Sequence, residues 1–192
     1  MTYVGIEQLR TKPYARTYDV TLIIVASAFV ALSAQVAIPL PFSPVPVTLQ
    51  TLAVLVTGAL LGSRRGALCL AVYVLEGAVG LPVFAGWMGG VGHLLGPTGG
   101  YLLGFIAAAY VTGLLAERGW DRRVGTCLLA MLVGNIVIYA FGLPWLGTFV
   151  GLERALPLGL IPFIAGDVAK LALGALSLPR GRKLLGADIG GG

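Results

Sequence analysis

The sequence predicts an all-α integral membrane protein, built as a bundle of six transmembrane helices. Of its 192 residues, 57% are hydrophobic and only 11% are charged, whereas a soluble domain carries about 25% charged residues. The apolar residues gather in segments of 15 to 20 residues, close to the length of a membrane-spanning helix. We therefore expect a single membrane domain over residues 1–192, surrounded by lipid, with tails at 1–19 and 179–192 and the bundle at 20–178.

The expected helices are separated by prolines, glycines and basic turns, and they lie at about residues 21–39, 47–61, 66–80, 101–115, 124–141 and 162–178. The proline-rich stretch at 38–46 is expected to be an extended external loop, since proline has no backbone N–H for a helix. Pro162 favours the start of the last helix, and Pro179 is expected to end it. An outer loop is expected at 142–155.

The basic residues predict the orientation of the chain. Of the 13 lysines and arginines, all but Arg154 and Lys170 fall in the two tails or in the loops after the second and fourth helices. Positive residues are retained on the cytoplasmic side of a membrane. We therefore expect both termini in the cytoplasm and the chain in the plasma (inner) membrane. The basic residues form no continuous patch, so nucleic acid is not an expected partner.

A glycine-rich segment from Gly80 to Gly104 separates the third and fourth helices. It is too rich in glycine and proline for a regular helix, yet it carries Phe84, Trp87 and Met88. Irregular backbone beside a membrane persists where it packs on protein or lines a cavity. We expect an external loop that folds over a ligand, with Phe84, Trp87 and Tyr101 as candidate pocket walls.

Asp167 and Lys170 are the sharpest chemical signal, because they lie within the apolar last helix. A charge in the bilayer centre costs at least about 2.5 kcal/mol, so such residues usually face the bundle interior and mark function. Their i, i+3 spacing places both on one face of the helix. Either the two neutralise each other, or they form a polar ligand site. Gln50 and Asn135 either bond across helices or contribute to that site.

A second pattern is a stripe of small residues on the first helix, formed by Ser27, Ala31 and Ala34. Small residues let two helices approach closely. The stripe either packs within this chain or docks on a partner subunit, and we take it as a candidate partner interface.

Several motifs of enzymes are missing from the sequence. The chain has one histidine and two cysteines, Cys69 and Cys127, without metal-ligand spacing. It has no phosphate-binding loop and no H-E-x-x-H motif. We therefore expect neither an enzyme nor a bound metal or cofactor.

Four stretches of the chain resemble the BioY family: PVPVTLQTLAVLVTGALLGSRRGAL, GLPVFAG, LLGPTGGYLLGF and GDVAK. Members of that family are the biotin-binding S components of energy-coupling-factor (ECF) transporters. The resemblance implies a six-helix protein that captures biotin from outside and delivers it inward. It also implies partners, namely an ECF transmembrane coupling subunit and ABC-type ATPase subunits, which alone use ATP.

The resemblance further implies roles for individual residues. Asp167 and Lys170 match the acid and lysine that line the family's biotin pocket, and we expect Asp167 to accept a ureido N–H while Lys170 donates to a ligand oxygen. The residues from Phe84 to Tyr101, with Gly86 and Met88 among them, match the loop that closes over the ligand. The residues from Ser27 to Ala34 match a face that meets the coupling subunit. The alternative hypothesis is a self-sufficient, proton-coupled carrier of small molecules that uses Glu76 or Asp167.

Overall fold

The computed structural model describes the backbone of residues 14–189 and the side chains of residues 17–181. These residues form the helices α1 (Tyr14–Gln35), α2 (Gln50–Ala78), α3 (Val91–Leu94), α4 (Gly99–Glu117), α5 (Val124–Val150), α6 (Leu152–Gly159) and α7 (Ile164–Ile189). Two short 3-10 turns lie at Trp120–Arg122 and Ile161–Phe163. Two short strands, β1 (Ala37–Ile38) and β2 (Val47–Thr48), pair antiparallel in the loop between α1 and α2.

Helix α2 is folded back on itself at Gly62. This glycine has φ 81° and ψ 177°, a region that is open essentially to glycine alone. A Cβ atom on Gly66 would lie only 2.9 Å from the Cα of Gly58, whereas eight residues of straight helix span about 12 Å. The two arms, α2a (residues 50–61) and α2b (residues 63–78), are therefore antiparallel. With α1, α4, α5 and α7 they make the six-helix bundle that the sequence predicts.

The described helices have the length and composition of membrane spans. Five segments are long and apolar enough to cross a membrane, namely Thr17–Gln35, Gln50–Ala78, Gly99–Glu117, Val124–Val150 and Leu152–Gly181. Large apolar side chains such as Phe29 on α1 and Ile136 on α5 are exposed on the outside of the bundle. Such a surface is suited to lipid, and the chain is a multi-pass membrane protein.

The hairpin of α2 packs closely against α4. A Cβ atom on Gly58 would lie 2.5 Å from the carbonyl oxygen of Ala109, so the two backbones are almost in contact there. At the tip of the hairpin, the backbone N–H of Ser63 donates to Glu117 Oε1 at 2.7 Å, and the Ser63 hydroxyl donates to the same oxygen at 2.9 Å. The Glu117 carboxylate thus satisfies a backbone donor freed by the break at Gly62.

Several of the predicted helix ends are wrong. Helix α1 runs from Tyr14 to Gln35 and not over residues 21–39, and two later helices continue further than predicted. Helix α5 passes through Pro144 and ends at Val150, so residues 142–150 are helix and not loop. Helix α7 passes through Pro179 and ends at Ile189, well into the expected tail. Proline is tolerated within membrane helices, because neighbouring groups can satisfy the backbone carbonyl that it leaves free.

The small-residue stripe of α1 faces α2b in this chain. Ser27 is buried and its hydroxyl donates to Glu76 Oε2 at 2.8 Å. Ala34 is fully buried and Ala31 packs partly against the core. In this chain the stripe therefore packs on its own neighbouring helix, and its predicted contact with a partner subunit stays a prediction.

Candidate functional site

A cavity lies at the end of the bundle where α1 ends and where α2 and α7 begin. The empty space in it, including solvent at its open mouth, is about 730 Å³. Most of its wall is apolar and comes from the loop before β2, the glycine-rich segment, α4, α5 and the turn before α7. The apolar side chains in this wall include Val45, Phe84, Leu102, Phe105, Ile138 and Phe163. A few polar side chains converge on this apolar space, as is typical of a ligand site.

Asp167 lies in the first turn of α7 and is only 4% exposed. The positive end of the helix dipole favours a carboxylate at this position. Two side chains of α5, spaced i and i+4, donate to its Oδ2 atom: the amide of Asn135 at 3.0 Å and the hydroxyl of Tyr139. Its Oδ1 atom lies 2.7 Å from Lys170 Nζ but accepts no well-aligned hydrogen bond. One oxygen therefore keeps acceptor capacity.

Lys170 lies one turn further along α7 and is 8% exposed. Besides the ion pair with Asp167, its ammonium donates to Thr51 Oγ1 at 2.7 Å and to the carbonyl oxygen of Thr48 at 3.1 Å. An ammonium has three hydrogens: two are donated to these threonine groups, and the third makes no aligned hydrogen bond with Asp167 Oδ1. Lys170 thereby ties α7 to the start of α2 and to β2.

Gln50 begins α2 and is buried at the cavity wall. Its side-chain amide donates to the hydroxyl of Tyr73 on α2b, and that hydroxyl donates to the carbonyl oxygen of Val83 at 3.0 Å. The two hydrogen bonds connect both arms of the hairpin with the beginning of the glycine-rich segment. Gln50 therefore has a structural role across the helices as well as a place in the cavity wall.

The glycine-rich segment is held over the cavity by a side chain of α1. Gln35 donates its amide N–H to the carbonyl oxygen of Phe84 at 3.1 Å, and its amide oxygen accepts the backbone N–H of Trp87 at 2.9 Å. The ring of Phe84 is fully buried, packs edge-on against Tyr73 and stacks on His93. Trp87 itself is 66% exposed and has φ 59°, which is uncommon for a residue other than glycine.

Tyr101 closes the cavity on the side of α4. Its hydroxyl donates to the carbonyl oxygen of Gly159 at 3.0 Å, and its ring lies edge-on to Tyr139 at 6.2 Å between centroids. A Cβ atom on Gly142 would lie 2.4 Å from the Tyr101 ring. The small residue on α5 therefore makes the space that the tyrosine fills.

The structure brings five of the seven predicted ligand contacts together at the cavity, namely Gln50, Phe84, Tyr101, Asp167 and Lys170. The other two, Gly86 and Met88, do not line it. Met88 is 51% exposed and borders a separate, shallower opening beside the glycine-rich segment. Their predicted contact with ligand stays a prediction.

Sequence reasoning missed four residues of the site: Gln35, Thr51, His93 and Tyr139. The i, i+4 spacing of Asn135 and Tyr139 could have identified the tyrosine, because both had to share a helix face. Gln35 and Thr51 carry no such signal, since their partners are backbone groups or a residue distant in sequence. The partners of His93 lie in or beside its own irregular segment, whose path the sequence does not define. Among the side chains that the structure describes, no group of three or more His, Cys, Asp or Glu residues is placed to hold a metal ion.

The fold and the cavity together define a class of protein: a multi-pass membrane protein with a mostly apolar, ligand-sized cavity and a buried ion pair in its wall. Residues 8–187 match the family model described as the BioY family. Because the match covers most of the chain, the chain belongs to that family.

Relatives with curated descriptions resemble the chain over most of its length. The biotin transporter BioY of Thermotoga maritima is 43% identical over 82% of this chain and 92% of the relative. The biotin transporter BioY of Rhodobacter capsulatus is 44% identical over 82% of this chain and 90% of the relative. A crystal structure described as the S-component for biotin from an ECF-type ABC transporter aligns with a TM-score of 0.79 and 28% identity, covering 90% of this chain and 95% of that one.

Proposed function

We propose that this chain is the substrate-binding membrane subunit of a biotin uptake transporter. It captures biotin from outside and delivers it inward when coupled to an ECF transmembrane coupling subunit and ABC-type ATPase subunits. The proposal is supported by the family of the chain, by the relatives described as biotin transporters, and by the fold that it shares with a biotin S-component.

The observation that carries the proposal is the buried Asp167–Lys170 pair at one wall of an apolar cavity. Biotin has a ureido ring with two N–H donors and a carbonyl, an apolar thiophane and valeryl chain, and a carboxylate. Such a ligand requires a mostly apolar pocket with a few placed polar groups. The cavity supplies an anionic acceptor in Asp167, apolar rings in Phe84 and Phe163, and a cation in Lys170.

Asp167 is the residue best placed to accept a ureido N–H, through the Oδ1 atom that lacks an aligned donor. Lys170 donates two of its three hydrogens to Thr48 and Thr51, and the third makes no aligned hydrogen bond. That hydrogen is available to a ligand oxygen without loss of either threonine contact. We therefore propose that Lys170 pairs with Asp167 and donates its third hydrogen to a ligand oxygen.

The position in the cell belongs to the same proposal. We place the chain in the plasma membrane with both termini in the cytoplasm, because the basic residues concentrate in the tails and in the loops after the second and fourth helices. The chain carries no chemistry of its own and no cofactor in this proposal, and ATP is used by the partner subunits alone. The glycine-rich segment and the cavity mouth then face outward.

Isothermal titration of the purified chain in detergent with biotin tests the proposal. We expect one-to-one binding with a sub-micromolar Kd. Asp167→Asn keeps the shape of the side chain but loses the charge that strengthens a hydrogen bond. We expect this variant to raise the Kd for biotin by roughly 10- to 100-fold. The matched control is Asp19→Asn, since Asp19 pairs with Arg65 at 2.8 Å away from the cavity. Normal affinity for biotin in Asp167→Asn overturns the assignment of Asp167 to the site. If the unaltered chain does not bind biotin, the assignment of biotin as the ligand is wrong.

The proton-coupled alternative requires an acid on the transport path, either Glu76 or Asp167. Asp167 lines the cavity, whereas Glu76 does not, and the Glu76 carboxylate accepts the hydroxyl of Ser27 between α1 and α2b. No contact of the described residues favours a carrier over a subunit. Uptake of labelled biotin into proteoliposomes separates the two, because a carrier works without partner subunits and stops on addition of an uncoupler.

A further inference from the structure

We propose that biotin enters through a vestibule beside the glycine-rich segment, and that the side chain of His93 is the gate between this vestibule and the cavity. The inference rests on the proposed function, because it concerns the route of the same ligand. It adds an outer, transient binding place and a residue that sets the rates of binding and release.

The vestibule is the shallow opening that borders Met88. Its walls are short side chains and exposed backbone, with Pro44, Met88, Gly92, His93, Gly96 and Thr98 among them. Three of these residues, Pro44, His93 and Thr98, also line the main cavity. The two spaces are therefore neighbours that share these three residues.

His93 is held in that shared wall by two side-chain contacts. Its ring stacks on Phe84 with 5.2 Å between centroids and 23° between planes, and its Nε2 atom lies 3.3 Å from Thr98 Oγ1. The length of this hydrogen bond is beyond the usual range of 2.7–3.2 Å. One weak hydrogen bond and one stacking contact are all that the side chain must give up in order to move.

The backbone around His93 permits such a movement. Helix α3 has only four residues, and its first residue is preceded by Gly90 at φ 94° without a side-chain cap. Behind the gate, Trp145 Nε1 on α5 donates to the carbonyl oxygen of Gly96 at 2.9 Å, and this hydrogen bond anchors the far end of the segment. A rotation of the His93 ring away from Thr98 joins the vestibule to the cavity while the anchor stays in place.

The vestibule suits the chemistry of the ligand that passes through it. The thioether of Met88 and the proline ring of Pro44 are apolar surfaces for an aliphatic chain. Backbone groups of the glycines can approach a ligand closely because they carry no side chain. Met88 then contacts biotin at the vestibule and not in the final site.

The first test compares rates with affinity. His93→Phe keeps a ring that stacks on Phe84 but removes the hydrogen bond, and Thr98→Val removes the same bond from the other side. We expect each variant to raise the association and dissociation rate constants of biotin together by roughly three- to ten-fold, the value of one neutral hydrogen bond. We expect the Kd to stay within two-fold, and the double variant to be no faster than either single one.

The second test blocks the route. A Cβ atom at Gly92, which lines the vestibule, would meet no atom within 4 Å, so we expect Gly92→Phe to fold normally and to narrow the vestibule. We expect it to lower both rate constants at least five-fold with little change in Kd. Gly125→Phe is the matched control, because Gly125 is equally free of neighbours and lies at the start of α5 away from the cavity.

Association is measured by stopped-flow tryptophan fluorescence, and dissociation by chase of tritiated biotin with excess unlabelled biotin. Unchanged rates in the His93 and Thr98 variants, or unchanged rates in Gly92→Phe, overturn the gate. The gate is also overturned if the His93 or Thr98 variants change the dissociation rate and the Kd but not the association rate. His93 would then be a contact of the bound ligand. If the unaltered chain does not bind biotin, the proposed function fails. If it binds biotin and the variants have the same rates as the unaltered chain, only the vestibule route is overturned.

Discussion

The hydroxyl of Tyr139 on α5 donates to Asp167 Oδ2 on α7, within the wall of the cavity. The same oxygen also accepts the amide of Asn135. Hydrogen bonds to a buried carboxylate stabilise its charged form. The two α5 side chains therefore orient Asp167, and they leave its Oδ1 atom beside Lys170.

Tyr139→Phe is expected to weaken biotin binding by about ten-fold. It keeps the ring that packs edge-on against Tyr101 but removes one of the donors that hold the carboxylate, and a hydrogen bond to a charged group is worth about 1.5–3 kcal/mol. The measurement is titration calorimetry with biotin. Tyr110→Phe is the matched control, since Tyr110 is 44% exposed on α4. Equal affinities of the two variants would exclude a role for the Tyr139 hydroxyl in orienting Asp167.

Lys170→Met is expected to destabilise the fold as well as to abolish high-affinity binding. Removal of one partner leaves the Asp167 carboxylate buried without its cation, a change that typically costs about 3–5 kcal/mol. The readout is the temperature of unfolding in detergent without ligand. The double variant Asp167→Asn with Lys170→Met removes both charges, and we expect it to recover most of the lost stability without recovering biotin binding. A double variant as unstable as Lys170→Met would contradict this account of the pair.

Most of the architecture could be predicted from the sequence. The helix number followed from runs of apolar residues, and the break between α2a and α2b followed from the glycine and arginines at 62–65. The ends of α5 and α7 could not, because the cost of Pro144 or Pro179 depends on neighbours that satisfy the freed carbonyl groups. The β1–β2 pairing was also missed, since two-residue strands carry no periodic pattern.

The sequence predicted part of the cavity wall, namely the charged pair and Gln50, Phe84 and Tyr101. Asp167 and Lys170 stand out, because ionisable residues in an apolar helix are rare. The amide of Gln35 binds backbone groups of Phe84 and Trp87. Every residue type has the same backbone groups, so such contacts cannot be recognised from the sequence. Gly86 was assigned from its place in the glycine-rich segment, but its backbone does not line the cavity. The path of an irregular segment depends on tertiary contacts of this kind.

Gln35→Ala is expected to loosen the glycine-rich segment without unfolding the bundle. The variant loses the hydrogen bonds to Phe84 and Trp87, each worth about 0.5–1.5 kcal/mol. The measurement is hydrogen exchange of the unliganded chain by mass spectrometry, and we expect exchange of peptides covering 84–88 to accelerate by roughly ten-fold. Gln35→Glu keeps an acceptor for the Trp87 N–H and loses the donor to Phe84, so it should show a smaller effect.

The matched control for this change is Ser33→Ala, because Ser33 is exposed on α1 and its hydroxyl donates only to the carbonyl oxygen of Phe29. Exchange in 84–88 should be unaffected in this variant. If Gln35→Ala shows the same exchange as Ser33→Ala, then Gln35 does not hold the segment over the cavity.

Acidification is expected to loosen the same segment through His93. Partial burial lowers the pKa of His93 below its ordinary value of 6.5, because a charged imidazolium loses hydration against Phe84. The loosened state binds more protons than the packed state between the lowered pKa and 6.5. The packed state is therefore fully stabilised above about pH 6.5, and it loses stability as the pH falls through that range.

Hydrogen exchange of peptides covering 84–98, corrected for the intrinsic pH dependence of exchange, measures this effect between pH 7.5 and pH 5. We expect the protection of these peptides to fall with pH in the unaltered chain. His93→Phe stacks on Phe84 in the same way but cannot be protonated, so its corrected protection should be constant over the range. A decrease of the same size in His93→Phe would assign the titration to another group.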